Sequence, residues 1–354
     1  MKFLFDKLFF ALSVLIGVYI ILFFLFMVLP LSSEQSMMGQ MSNKATQEAI
    51  AKEYRLDLSP SYRLLLSLND LSPISIYSKK TESRWFYIQD RYKGIPILNF
   101  SDKLIVIKKP YLGKSFQWQE DVNELLKQRF LSTLILAFTS ILIASFLGIF
   151  LGILSAVKHN TWIDQVALSF SAFGISAPSF FVAILIALFF GYYLHDFTGL
   201  NFQGSLIEFD DYGNRFYNWK NLILPSIALG LRPVAIITQI TRNSMLDVLK
   251  EDYIRTAIAK GLSKNVVFFK HALINALNPV VTSISGWFGS LLAGAYFIEI
   301  IFDYKGIGNL TVNALMKFDI PLVMGASLYV AFTFVCISFI VDFLYLWIDP
   351  RLKK

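Results

Sequence analysis

Six long apolar stretches punctuate the chain: Leu8–Leu29, Phe130–Val157, Gln165–Leu194, Asn221–Thr241, Val280–Phe302 and Ile320–Ile348. Each reaches the ~20 residues that a helix needs to cross a hydrocarbon layer of roughly 30 Å, so each predicts a membrane span. Gly148, Gly152, Gly174, Gly289 and Gly294 recur within them, as expected where helix backbones pack closely in lipid. The first run follows Lys2 and Lys7, as a secretory signal core would. It exceeds the roughly 7–15 residues of such a core and no small-residue cleavage site follows, so it predicts a retained span.

Two polar interruptions carry patterns of their own. Between the first two spans, "ATQEAIAKEYRLDLSPSYRLLLSL" has helical spacing, whereas "SRWFYIQDRYKGIPILNFSDKLIVIKKP" alternates aromatic and β-branched residues with polar ones and predicts short strands. Between the fourth and fifth spans, "TRNSMLDVLKEDYIRTAIAKG" reads as one helix with Met245, Leu249, Ala257 and Ile258 on its apolar face and a favourable Glu251–Arg255 pair at i,i+4. Gly261 ends it and Ser263 caps the next helix. There Val266, Phe269, Leu273, Ala276 and Leu277 continue an apolar stripe as far as Asn278-Pro279. The expected product is an elbow of two short amphipathic helices, its apolar side against the spans and its basic side in water.

Lysine and arginine near span ends orient the chain. Lys2 and Lys7, Lys158 with His159, the stretch from Arg242 to Lys270, and Arg351, Lys353 and Lys354 fall on one side, the cytoplasm. The loop "HDFTGLNFQGSLIEFDDYGNRFYNWK", with more acids than bases, falls on the other. The fold class is therefore an all-α polytopic membrane protein of six transmembrane helices with both termini cytoplasmic and a small mixed external subdomain between helices 1 and 2. The expected domains are an N-terminal transmembrane helix at 1–30, an external insert at 31–128, a transmembrane domain at 129–349 containing the loop 242–278, and a cytoplasmic tail at 350–354.

Composition agrees with lipid: of 354 residues 55% are hydrophobic and only 16% charged, against roughly 25% charged in soluble proteins. The single cysteine, Cys336, excludes a disulfide framework. The net charge of +7 is spread over loops and ends, which topology explains without a nucleic-acid partner.

Catalytic motifs are missing. Gly113-Lys114-Ser115 imitates the end of a phosphate loop, but Lys108 stands where its first glycine belongs. His159, His195 and His271 lie on separate loops outside any His-Glu-x-x-His run, and there is no Gly-x-Ser-x-Gly elbow. The chain reads as no enzyme, with no metal and no cofactor of its own. Charges inside spans remain. Arg232, beside Pro233 midway along the fourth span, has two readings: a structural one, paired with an acid on a neighbouring helix or snorkelling, and a functional one, a cationic contact for an anionic substrate group. Glu299 and Asp342 lie nearer span ends and read as interfacial or capping residues.

The elbow resembles the coupling loop of ATP-binding-cassette importer permeases, built on Glu-Ala-Ala, a glycine four residues later and an Ile-x-Leu-Pro ending. Arg255-Thr256-Ala257 stands at the first positions, Gly261 at the glycine and His271-Ala272-Leu273-Ile274 at the ending. Ala257, Gly261 and Leu273 keep the general pattern, and "DYIRTAIAKGL" with "KHALINALNPVV" resembles the dipeptide/oligopeptide and nickel branch. The likeness extends to "LILPSIALG", "TRNSMLDVL", "AYFIEIIFDYKGIGNLTVNALMKFDIPLVMG" and "VDFLYLWIDPR", in the order of that branch's first permease subunit. About Ser72 to Pro110 is inserted relative to the common pattern, and Arg232-Pro233 departs from the small or apolar residues expected there.

The resemblance implies a multi-pass protein of the bacterial inner membrane that imports peptides or similar small solutes. Its implied partners are a second permease subunit, two cytoplasmic ATPase subunits that bind the ATP, an external substrate-binding protein and the lipid bilayer. It places the ATPase-coupling loop on Asp252, Tyr253, Arg255, Thr256, Ala257, Lys260, Gly261, Leu262, His271 and Leu273, and leaves Arg232 as the candidate pathway residue. Arg255, Lys260 and Lys264 are equally a solvated basic face. The competing readings are a membrane scaffold or receptor that moves nothing, and a permease of the same build for nickel or another solute.

Overall fold

The structure, a computed structural model, describes residues 2–28, 55, 57–80, 83 and 85–348. Residues 45–54 of the helix expected at the start of the insert, and the tail 350–354, lie outside the described residues. Helices dominate. The chain divides into two compact units, Met1–Gln128 with Thr311–Phe332, and Arg129–Leu310 with Thr333–Lys354.

In the first unit, α1 (Lys2–Val28) is apolar after its charged start at Lys2, Asp6 and Lys7 and packs against α2 (Pro60–Leu71). Pro60 opens α2 at a position where its missing N–H has no helical partner to lose. Strands β1 (Ile74–Ser78), β2 (Ile95–Phe100) and β3 (Lys103–Ile107) form an antiparallel sheet in the order β1-β3-β2. The last two strands fall in the alternating segment; β1, a five-residue run before it, was too short to stand out. On one face of the sheet Tyr77 and Val106 meet Tyr92, Tyr87 and Tyr111, with the Tyr77 and Tyr92 rings 4.6 Å apart. Buried Asp70 organises this cluster, accepting hydrogen bonds from Tyr77 Oη at 3.1 Å and Arg55 Nη1 at 2.9 Å. Burial pushes the Tyr92 phenol up, so it stays a neutral acceptor for Arg55 Nη2 at 3.0 Å.

Helix α3 (Val122–Val157) starts eight residues before the expected span, because "VNELLKQR" is rich in strong helix formers. Its 36 residues extend about 54 Å at 1.5 Å each, well beyond a bilayer core. It continues into the second unit, which holds α4 (Trp162–Ser176), α5 (Ser179–Ile186) with a π-helical continuation Ala187–Tyr193, a hairpin of β4 (Ile207–Phe209) and β5 (Arg215–Tyr217), α6 (Lys220–Val248), α7 (Asp252–Ala259) and α8 (Leu273–Ile301). Two further helices, α9 (Ile307–Met316) and α10 (Ile320–Ile348), complete the chain.

Among the described residues four helices, α1, α3, α6 and α10, are long and apolar enough to cross a membrane, and two bent pairs qualify if each is taken together. One pair corrects the expected third span. Gln165–Leu194 is not one helix: α4 and α5 meet at 111° across Ala177-Pro178. Proline drives the residue before it out of the helical region, and Ala177 sits at ψ 134°. Apolarity continues unbroken through the bend, so hydropathy alone did not show it.

Helix α6 packs against α4, α5 and α8. Gly148 and Gly152 of α3 are where small size is required: an added Cβ would come within 2.7 Å of Ile237 and 2.5 Å of Thr241 on α6. At the far end of α8, Glu299 is fully buried. It accepts from Thr133 Oγ1 at 2.7 Å and the Asn309 N–H at 2.9 Å, while the Ile307 N–H donates to Thr133 Oγ1 at 2.8 Å. A carboxylate on one helix thus caps the free N–H groups that open α9. Glu299→Leu is expected to orphan those donors and cost about 2–4 kcal/mol. Thermal melting of the full chain in detergent would show the loss, with Glu299→Gln, which keeps an acceptor, losing less.

Candidate functional site

The elbow is built by the ends of two long helices. Helix α6 runs past Thr241 to Val248, so "TRNSMLDV" belongs to the span helix and not, as expected, to one helix reaching Gly261. The break falls at Leu249–Glu251, where Glu251 turns extended (φ −67°, ψ 147°) before α7 begins at Asp252. Glu251 uses its carbonyl, accepting the Arg255 N–H at 3.3 Å. Arg255 pairs instead with Asp252, at 3.4 Å and i,i+3. The expected Glu251–Arg255 ion pair is therefore replaced, because ending α6 early makes Glu251 the residue before the helix.

Helix α7 closes with Gly261 at φ +77°, its N–H on the Ile258 carbonyl at 2.9 Å and the Leu262 N–H on the Ala257 carbonyl at 3.3 Å. This is the left-handed C-terminal turn that glycine adopts freely. A turn of helix at Lys264–Val266 then leads through a π-helical stretch, Val267–Ala272, into α8, which passes straight through Pro279. The second helix thus does not stop at Asn278-Pro279; it is the beginning of the span.

Ile254, Ala257, Val267, Ala272 and Ala276 are buried together with Ala156 of α3 and Met245 of α6. The elbow is thereby seated on the helices it joins. Its outward face is more apolar than the sequence suggested: Ile258 is 60% exposed, Phe269 58% and Ile274 61%, with Leu262 and Val266 also exposed. Ile258, Val266 and Phe269 were expected to face the spans. For Phe269 the reason is the π-helical stretch, which has more residues per turn than an α-helix, so that a 3.6-residue period assigns its face wrongly.

The expected coupling residues divide accordingly. Asp252, Tyr253, Arg255, Thr256, Lys260, Gly261 and Leu262 are exposed, His271 and Leu273 are half-buried, and Ala257 is buried. Tyr253 Oη accepts from Asn275 Nδ2 at 3.0 Å, which ties α7 to the start of α8 across the turn, and Thr256 Oγ1 donates to the Asp252 carbonyl at 3.0 Å.

Sequence reasoning missed the clamp beneath the elbow. Arg242 near the end of α6 grips Asp164 in the first turn of α4 with both arms, Nε to Oδ1 at 2.6 Å and Nη2 to Oδ2 at 2.8 Å. Ser155 Oγ donates to Oδ1 at 2.5 Å, the Asn160 N–H donates to Oδ2 at 3.1 Å, and His159 Nδ1 stands 3.1 Å from Oδ2. The Asp164 side chain is 3% exposed and that of Arg242 13%. Arg242 had been read as one loop cation among several, and Asp164 fell just outside the expected span. An acid five residues after His159, in the short loop 158–162 and the helix it opens, was the available signal.

Arg232 lies on the exposed side of α6 and makes no ion pair or hydrogen bond with any described residue. The reading that pairs it with an acid on a neighbouring helix of this chain is not realised there. Among the described residues no three His, Cys, Asp or Glu side chains gather where they could hold a metal ion.

Residues 148–354 match the family described as the binding-protein-dependent transport system inner membrane component. The dipeptide transport system permease protein DppB of Alkalihalophilus pseudofirmus is 33% identical over 98% of this chain and 98% of its own length. The probable D,D-dipeptide transport system permease protein DdpB of Escherichia coli K12 is 38% identical over 69% of this chain and 76% of its own. A solved methionine ABC transporter, MetNI in an inward-facing form, aligns over 64% of this chain and 97% of its own at 15% identity and a TM-score of 0.47, too distant to fix the arrangement of the helices.

Proposed function

This chain belongs to the binding-protein-dependent transport system inner membrane components, and we propose that within an importer of that family its elbow receives the force of ATP hydrolysis for peptide uptake. It is a permease subunit of an ABC importer, a non-catalytic membrane component. The proposed complex pairs it with a second permease subunit, two cytoplasmic ATPase subunits that bind the ATP, and an external substrate-binding protein. The proposed topology is six spans in the bacterial inner membrane, with each bent pair counted as one, both termini in the cytoplasm and the insert 31–128 outside. Peptides are the proposed cargo because the relatives are named for dipeptides.

One observation carries the reading. The elbow is buried on one side against the helices it joins, while its other side presents exposed Tyr253, Arg255, Ile258, Leu262 and Phe269. An ATPase groove that covers this face would hold the elbow rigidly. Helix α6 leads into the elbow and α8 leads out of it, and the two pack along each other. A push on the elbow therefore reaches both as one body, and ATP-driven closure biases a two-state gate between inward- and outward-facing forms.

Purification of the chain from its native membrane tests this: ATPase subunits should co-purify, and a photo-crosslinker at Ile258 should capture them. Crosslinks only to lipid would refute the docking surface. Arg232 is the proposed contact for an anionic group of the cargo such as a peptide carboxylate. Arg232→Leu is expected to raise the KM for uptake about tenfold, the worth of one charge-assisted contact, at unchanged protein level. Unaltered uptake kinetics would leave Arg232 no part in the pathway.

A further inference from the structure

The three-stranded sheet has a second face whose apolar side chains are exposed. Register pairs Ile74 with Ile107 and Ile107 with Ile95, then Ile76 with Ile105 and Ile105 with Leu98, then Ser78 with Lys103 and Lys103 with Phe100. Side chains alternate along β1 and β3, and in β2 the bulge between Pro96 and Leu98 brings Leu98 onto the face of Ile95, so these positions share the face opposite Tyr77 and Val106. Two rows of isoleucine and leucine thus lie side by side, with Phe100 and Lys103 in the third. Ile74, Ile76, Ile95, Leu98, Phe100 and Ile107 are all exposed, Ile95 to 72%. Three strands about 4.8 Å apart and five residues long present on the order of 250 Å² of contiguous, mostly apolar surface. An antiparallel sheet with one face in water ordinarily carries polar residues there.

We infer that this face lies on the surface of an anionic phospholipid bilayer. Charge is the first reason. Lys103 stands within the grid, and exposed Lys79, Lys93 and Lys109 stand at its two ends, while Asp102 is answered by Lys80 at 2.8 Å. Apolar side chains ringed by lysine match the headgroup and acyl layers of such a surface. The second reason is composition: protein hot spots draw on Trp, Tyr and Arg, and the grid has none of them.

The third reason is tethering. Strand β3 joins α3 through a segment fixed by the Lys108 N–H on the Pro73 carbonyl at 3.0 Å, the Tyr111 N–H on the Asp70 carbonyl at 2.9 Å, Asn123 Nδ2 on the Pro110 carbonyl at 2.8 Å and the Val122 N–H on the Gly113 carbonyl at 3.1 Å. The sheet is thus tied to the first turn of α3, at Val122 and Asn123. Its edge strand β2 needs water or headgroups for its unpaired backbone groups, which limits the sheet to the interface and keeps it out of the hydrocarbon. The inference requires a membrane-embedded chain and is independent of transport.

The test uses the full chain with Cys336→Ser in nanodiscs of phosphatidylethanolamine and phosphatidylglycerol. A single cysteine carrying an environment-sensitive fluorophore is placed at Leu98, or at its neighbour Asn99, which points to the opposite face. Brominated lipid is expected to quench the Leu98 label at least about twofold more than the Asn99 label, with iodide showing the reverse. Lys79→Glu with Lys103→Glu is expected to reduce that quenching by about half with phosphatidylglycerol present and not without it. Equal quenching at Leu98 and Asn99 would overturn the inference. So would protection of Leu98 from iodide without bromolipid quenching, which would assign the face to residues 29–54, a second permease or another copy of this chain. Protection arising only on addition of the substrate-binding protein would assign it to that protein.

Discussion

Gly261→Val is expected to give a chain that inserts at the normal level and assembles, yet no longer links ATP hydrolysis to uptake. The expectation rests on backbone conformation and not on space. Gly261 sits at φ +77° and nothing lies within 4 Å of where a Cβ would stand. A β-branched residue there costs about 1–3 kcal/mol. Relaxing φ to a negative value relieves the strain but re-aims Leu262 and the helical turn after it, while Ile254 and Ala257 remain seated on the helix ends. The half of the elbow before the glycine and the half after it would then no longer fit one groove. The measurement is the ratio of substrate moved to ATP hydrolysed in proteoliposomes carrying the whole transporter. Gly261→Asn, which tolerates the left-handed region, is expected to keep much of the coupling. A normal ratio in Gly261→Val would remove the elbow from the proposed mechanism.

That glycine was legible because positive φ leaves a mark in local sequence: an amphipathic stretch, a glycine, then a new capped stretch. The apolar stretches were legible for a similar reason, since the requirement of about 20 apolar residues is one-dimensional. The bend at Ala177-Pro178 was not, because three other prolines, Pro225, Pro233 and Pro279, lie inside continuous helices. Identity alone does not separate a proline that breaks a helix from one that the surrounding packing accommodates. The outward face of the elbow was misread at Phe269 because the π-helical stretch shifts the register there. The sheet's outer isoleucines were visible only as alternation, and which face the tyrosines would cover was decided by residues from Asp70 to Tyr111 folding together.

The clamp between Arg242 and Asp164 was the least legible feature, since its members lie 78 positions apart, and it carries the other large expected effect. Asp164→Ala removes a buried carboxylate and leaves the Arg242 guanidinium, Ser155 Oγ and the Asn160 N–H facing an empty site. Breaking one side of such a pair costs about 3–5 kcal/mol. The full chain in detergent is expected to melt several degrees lower and to accumulate poorly in membranes. Arg242→Met should cost less, because Ser155, Asn160 and His159 still surround the carboxylate. Asp164→Leu with Arg242→Met removes both charges, and the double variant is expected to lose less than the sum of the singles. Reversing the charges separates this geometry from simple attraction. Arginine at 164 would face the Asn160 N–H, which cannot accept a hydrogen bond, and would be longer than the site that holds the aspartate, so Asp164→Arg with Arg242→Asp should stay as unstable as Asp164→Ala. Rescue by the reversed pair would mean that net attraction between α4 and α6 suffices and that the donors around Asp164 contribute nothing.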